Sequence, residues 1–274
     1  MTKDDEQSSK KSEFDIDILE SSESSNIDFS RLYKECHSFY NNNRYLDAIK
    51  YCNKLIKIYP DDAKLHYVKG CSLEKIGKLT ESISSFSKAI KINKNYEEAI
   101  YKKGIVLTKL NNYEEAIECY NEAIKIKPDD VDALNNKGYS CNNLGKYDEA
   151  IECYDEAIRI QPDDVNAISN KGVALANLGK YDLSIECYDE ALKIKPDYAY
   201  AYYGKGYSCN NLGKYDEAIE CYDEAIRINP DYAYAYYGKA KNLKRIGNDA
   251  EAQKYFKIAK ELEAKNTMYI TTTV

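Results

Sequence analysis

The string KGYSCNNLGKYDEAIECYDEAIRI fills residues 137–160 and returns unchanged at residues 205–228. That offset is two periods of 34, since Pro128, Pro162, Pro196 and Pro230 stand 34 residues apart, with Pro60 two periods before Pro128 and Lys94 in the slot between. Self-similarity at such a period marks a chain of stacked units, each too small to bury its apolar face alone. Placing the proline at position 32 of each unit gives seven units, 29–62, 63–96, 97–130, 131–164, 165–198, 199–232 and 233–266, with no insertion.

Small and large residues alternate inside the unit. Position 8 holds Cys36, Gly70, Gly104, Gly138, Gly172, Gly206 and Ala240, and position 24 holds Cys52, Phe86, Tyr120, Tyr154, Tyr188, Tyr222 and Phe256. Positions 20 and 27 are small as well, for example Ala150 and Ala157. A ring flanked one helical turn away by small residues predicts closely interlocked helices. Position 15 is Asn43, Gly77, Asn111, Gly145, Gly179, Gly213 or Gly247, the residue types that accept the left-handed conformation just past a helix end. A second helix then starts near Tyr147, with Asp148 and Glu149 in the first turn where the helix dipole favours acids. Each unit therefore reads as a helical hairpin, and the fold class as all-α.

This pattern resembles the tetratricopeptide repeat family over residues 29–266. The resemblance implies a right-handed α-solenoid of seven 34-residue helix-turn-helix repeats whose first helices line a concave groove. The chain departs from the family pattern at position 4, which is Leu32, His66, Ile100, Leu134, Ile168, Tyr202 and Tyr236, and at position 7, where Glu35 and then lysines from Lys69 to Lys239 replace leucine. In the last unit Gln253 and Lys260 stand where the others carry aliphatic residues, so that unit is expected to serve as a polar cap, followed by a short tail at 267–274.

The resemblance directs attention to positions 2, 5, 6, 9, 12 and 13 as the groove. Tyr101, Tyr139, Tyr200, Tyr203, Tyr207, Tyr234 and Tyr237 form a row there, and tyrosine offers large contact area at little rotamer cost. Asn135, Asn136, Asn142 and Asn170 place amides in the middle units, where they can hydrogen-bond an extended backbone. They resemble a short piece of the asparagine ladder of sugar-transferase superhelices, ended by Gly204 and Gly238. Lys241, Lys244 and Arg245 make a basic patch suited to an acidic peptide terminus. The plainer alternatives are that the tyrosines pack between repeats and the basic patch is a solvated cap face. The family's clamp for acidic chaperone tails does not fit, because Val68 and Glu98 stand where it needs asparagine and lysine.

Composition narrows function further. Of 274 residues, 31% are charged and the net charge is −7, which disfavours a nucleic-acid partner. Residues 1–28 carry −6 of this and are expected to be a disordered, acidic, serine-rich tail. Within it Phe14 to Leu19 resembles the motif that binds small ubiquitin-like modifiers, or else folds against the first hairpin; Thr272-Thr273-Val274 resembles a PDZ-domain ligand. Nine cysteines without a CxxC pair, no secretory signal and no long apolar run point to reduced thiols in the cytoplasm and no membrane span. Two histidines without partners, and cysteines at position 23 (Cys119, Cys153, Cys187, Cys221) read as packing residues, suggest no enzyme, metal or cofactor. The expected function is a non-catalytic scaffold or adaptor binding an extended peptide or helix of a partner protein. A self-associating homo-oligomeric module, or an adaptor autoinhibited by its acidic tail, stands as the alternative.

Overall fold

Two punctuation marks per period, one at position 15 and one at position 32, leave room for helices of 13 and 14 residues. The computed structural model describes residues 29–272 and holds fourteen helices among them. Residues 1–28, with the tail and motif readings made on them, and residues 273–274 lie outside the described residues. The chain divides into two compact units. The first, Met1–Pro128, contains α1 (Phe29–Asn41), α2 (Tyr45–Ile58), α3 (Ala63–Lys75), α4 (Leu79–Ile92), α5 (Glu97–Lys109) and α6 (Tyr113–Ile126). The second, Asp129–Val274, contains α7 (Val131–Asn143), α8 (Tyr147–Ile160), α9 (Val165–Asn177), α10 (Tyr181–Ile194), α11 (Ala199–Asn211), α12 (Tyr215–Ile228), α13 (Ala233–Arg245) and α14 (Asp249–Thr272).

Each unit is an all-α solenoid of paired helices. Within a unit every second helix packs on the first helix of its own pair and on that of the next pair, and consecutive first helices also touch. The turns follow the sequence reading: Asn111 adopts φ +58° and Gly145 φ +74°, a conformation that ends one helix and aims the chain back along it. Asp62, Asp130 and Asp164 cap the following helices, their side chains accepting from the backbone N–H of Leu65, Ala133 and Asn166 at 2.9, 3.0 and 2.9 Å. Such caps contribute about 1 kcal/mol each.

The core is the small-against-large contact. Tyr120, Tyr154 and Phe86 are almost wholly buried, and a Cβ on Gly104, Gly138 or Gly70 would come within 2.7 Å of their rings. Three of the lysines that replace leucine at position 7 make ion pairs between helices. Lys171, Lys205 and Lys239 reach back to Asp155, Asp189 and Asp223 of the preceding second helix at 2.6, 2.6 and 2.5 Å, so an ion pair joins successive hairpins there. In the first hairpin Glu35 instead accepts a hydrogen bond from the Tyr51 hydroxyl.

Two expectations change. Cys36 and Cys52 form a disulfide, with Cα atoms 6.3 Å apart; they are not both free thiols. They occupy positions 8 and 24, so the two sulfurs meet where the other hairpins oppose a small residue to a ring. The other cysteines of the described residues are free and buried. The segment 267–274, expected as a tail, is helical through Thr272. After Gly247 neither glycine nor proline interrupts the chain, so nothing stops α14 at the end of the repeat frame. Gln253 and Lys260 on that helix are exposed.

Candidate functional site

The tyrosines of α11 and α13 surround two hollows in the second unit. One, about 210 Å³, is lined by Val173, Ala176 and Asn177 of α9, by Tyr200, Tyr203, Gly204 and Tyr207 of α11, and by Tyr188 of α10. The other, about 300 Å³, is lined by Tyr203, Tyr207 and Asn210 of α11, by Tyr234, Tyr237, Gly238, Lys241 and Asn242 of α13, and by Tyr222 and Glu263. Residues 34 apart recur in the two linings: Tyr188 and Tyr222, Tyr200 and Tyr234, Tyr203 and Tyr237, Gly204 and Gly238.

The floors explain the glycines. A Cβ on Gly238 would lie 2.6 Å from Cζ of Tyr222, and one on Gly204 would meet the end of the Tyr188 ring. Each ring also presses on the glycine of its own hairpin, Gly172 for Tyr188 and Gly206 for Tyr222. The ring thus passes between consecutive first helices and reaches the floor of the hollow. Gly204 and Gly238 therefore do more than end an asparagine series: their missing side chains open the hollows. Tyr188 and Tyr222 were read from sequence as hairpin packing alone; glycine at position 6, where other units carry Asn136 and Asn170, was the available signal.

The expected site residues divide between surface and interior. Tyr139, Tyr200, Tyr207, Tyr234 and Tyr237 are exposed, Tyr234 most of all at 64%. Tyr203 is half-buried, its ring 5.9 Å from that of Tyr222 and 5.2 Å from that of Tyr232. Burial raises the Tyr200 and Tyr203 phenol pKa values above their ordinary value, so both rings stay neutral hydrogen-bond donors at physiological pH. Tyr101 belongs to the first unit and packs half-buried on its core, 6.1 Å from the Tyr120 ring.

The asparagines are largely committed inside the protein. Asn135 donates to Asp164 at 2.6 Å, Asn136 donates to the Asp132 carbonyl at 2.8 Å, and the Asn142 side-chain oxygen accepts from Asn177 at 3.1 Å. Asn170 is half-buried on α9. Their spacing is that of a ladder, but Asn135 and Asn142 are tied to the start and the end of α9 and Asn136 to its own helix. The basic patch also separates. Arg245 turns onto Tyr215, with its guanidinium 5.2 Å from the ring centre and a 3.2 Å hydrogen bond to the hydroxyl, while Lys241 lies over Tyr237 at 5.6 Å. Lys244 is exposed.

Tetratricopeptide repeat models match residues 63–96, 131–164, 165–198 and 199–232, and a TPR repeat model matches residues 104–145. The chain belongs to the tetratricopeptide repeat family. Among solved structures it is similar to MamA, with 28% identity over 61% of this chain and 97% of that one and a TM-score of 0.53. It is also similar to YrrB, described as a TPR protein with an unusual peptide-binding site, with 23% identity over 69% and 97% and a TM-score of 0.57. A tetratricopeptide repeat protein from Parabacteroides merdae superposes over 85% of this chain and 92% of its own, with 19% identity and a TM-score of 0.72. No curated protein sequence matches the chain. Among the described residues of these repeats, no three His, Cys, Asp or Glu side chains gather where they can hold a metal, and no helix is long and apolar enough to cross a membrane.

Proposed function

We propose that the chain is a non-catalytic protein-interaction scaffold whose second unit binds an extended peptide segment of a partner across α9, α11 and α13. The frame is counted as seven repeats of 34 residues over 29–266, winding right-handed within each unit, with the last repeat as the polar cap. One observation carries the reading: two glycine-floored, tyrosine-walled hollows recur one repeat apart. An extended chain presents side chains at regular intervals, so a duplicated hollow suits a ligand that fills both at once, through the gain in effective concentration. The likeness in fold to YrrB, a TPR protein with a peptide-binding site, supports this. Lys244, exposed near the end of α13, suits an acidic residue near one end of such a ligand.

The test is selection of peptides from a random display library on the full chain, followed by affinity measurement on Tyr207→Ala plus Tyr234→Ala. These rings are 43% and 64% exposed, so their loss leaves the core intact. Interface tyrosines of this kind carry about 2 kcal/mol each, and binding is expected to weaken at least about 30-fold. Peptides that bind the double variant as well as the parent would remove the tyrosine face from the account.

A further inference from the structure

Two residues that line the larger hollow, Asn210 and Asn242, each carry a buried side-chain oxygen without a hydrogen-bond partner. Asn242 is 1% exposed. Its amide nitrogen donates to the Gly238 carbonyl at 2.9 Å, which fixes the side chain's orientation, and its Oδ1 has no hydrogen-bond partner. Asn210 likewise has a buried Oδ1 without a partner. A buried acceptor left unpaired costs about 1–3 kcal/mol, so two on residues lining one hollow require a reason.

Comparison among the repeats shows where each comes from. At the position of Asn242 four other units carry serine, and Ser72, Ser140 and Ser208 each donate back to the carbonyl one turn earlier, at 2.8, 2.9 and 3.1 Å. Asn242 makes that same bond and adds one spare acceptor. At the position of Asn210 the fourth unit carries Asn142, whose oxygen is satisfied by Asn177. The residue standing where Asn177 would be is Arg245, and it is turned onto Tyr215. Both departures leave an unpaired oxygen on a residue that lines the hollow between α11 and α13.

We propose that this hollow, Asn210 and Asn242 with the faces of Tyr207 and Tyr234, receives an arginine side chain of the bound peptide. The guest must supply N–H donors to two carbonyl-type oxygens and present a flat face to phenol rings. A guanidinium does both, with five donors in one plane and an affinity for aromatic faces. Tyrosine faces in this unit already take cations, Arg245 on Tyr215 and Lys241 on Tyr237, and the hollow's lining includes the carboxylate-bearing Glu263. A carboxylate guest would set its oxygens against two acceptors, which reverses for this hollow the acidic ligand read from the basic patch. The inference rests on the peptide-binding reading and names the side chain that enters.

The probes are the capped tripeptides acetyl-Gly-Arg-Gly-amide, acetyl-Gly-citrulline-Gly-amide and acetyl-Gly-Ala-Gly-amide, titrated into the full chain and followed by NMR of asparagine amide groups and tyrosine rings. The arginine probe is expected to saturate shifts at Asn210 and Asn242 and to bind at least tenfold more tightly than the alanine probe. Citrulline, which keeps most donors without the charge, is expected in between. Asn242→Leu, similar in size and without the spare oxygen, is expected to fold and to lose most of the arginine preference. Equal binding of the arginine and alanine probes, or an undiminished preference in Asn242→Leu, overturns the inference. Library peptides that need Tyr207 and Tyr234 but show no arginine would sink it while leaving the peptide-binding reading intact.

Discussion

Replacing Tyr154 by alanine is expected to cost about 3–5 kcal/mol, the range for removing a fully enclosed aromatic ring. The ring is 1% exposed and pressed against Gly138, so its loss leaves a void that rigid neighbouring helices cannot close. The reverse change, Gly138→Ala, drives a methyl to within 2.7 Å of Cε1 of that ring and is expected to cost about 1–3 kcal/mol by overpacking. Combining the two should cost less than their sum, because the added methyl then enters the void, and contacting residues couple in this way. Denaturant unfolding of the single and double variants checks the cycle; strict additivity would mean that position 8 and position 24 do not share one space.

Alkaline pH is expected to unfold the chain from above pH 10. Burial pushes the Tyr120 phenol up to about 12 and moves those of Tyr154, Tyr188 and Tyr222 upward as well. A phenol whose folded pKa exceeds the ordinary value of about 10 holds its proton longer in the native state. The resulting stability is present in full below pH 10 and is lost as pH rises toward the folded values. The loss is about 1.4 kcal/mol per pH unit for each such ring, so several rings together remove most of a domain's stability within about one to two units. Tyrosinate absorbance should therefore show a cooperative step coinciding with loss of helical circular dichroism. A single gradual titration with helix content unchanged at pH 12 would contradict the burial of these rings.

Much of the fold was legible because its rules act within one period. The opposition of Gly104 to Tyr120, the left-handed residue at Asn111 or Gly145 and the helix starts at Tyr147 and Tyr215 each repeat, so a local preference is stated several times over. What escaped depends on contacts between periods or on exceptions to them. The disulfide joins Cys36 to Cys52 across one hairpin, at positions 8 and 24, whereas the cysteines that recur in consecutive repeats stand at position 23. Lys205 looked like a departure from the family pattern until Asp189 on the preceding helix was seen 2.6 Å away. The tyrosine face was readable by spacing, but which rings stay outside was not. Tyr203 and Tyr207 lie on the same helix, yet the first packs on Tyr222 and Tyr232 while the second remains 43% exposed. Asn135 and Asn142 show the same limit, since the groups that use their amides are distant in the chain, Asp164 at the far end of the same repeat and Asn177 in the following one.

The account stands on the tyrosine-bearing faces of α11 and α13, and photo-crosslinking of a library-selected peptide tests it most directly. A benzophenone amino acid is placed in the full chain either at Tyr207, on the rim of both hollows, or at Glu220, on the exposed side of α12. The expected result is an adduct from position 207, competed away by unlabelled peptide, and none from position 220. Crosslinking from position 220 alone would contradict the account, because the ligand would then lie on the second helices and not over the hollows.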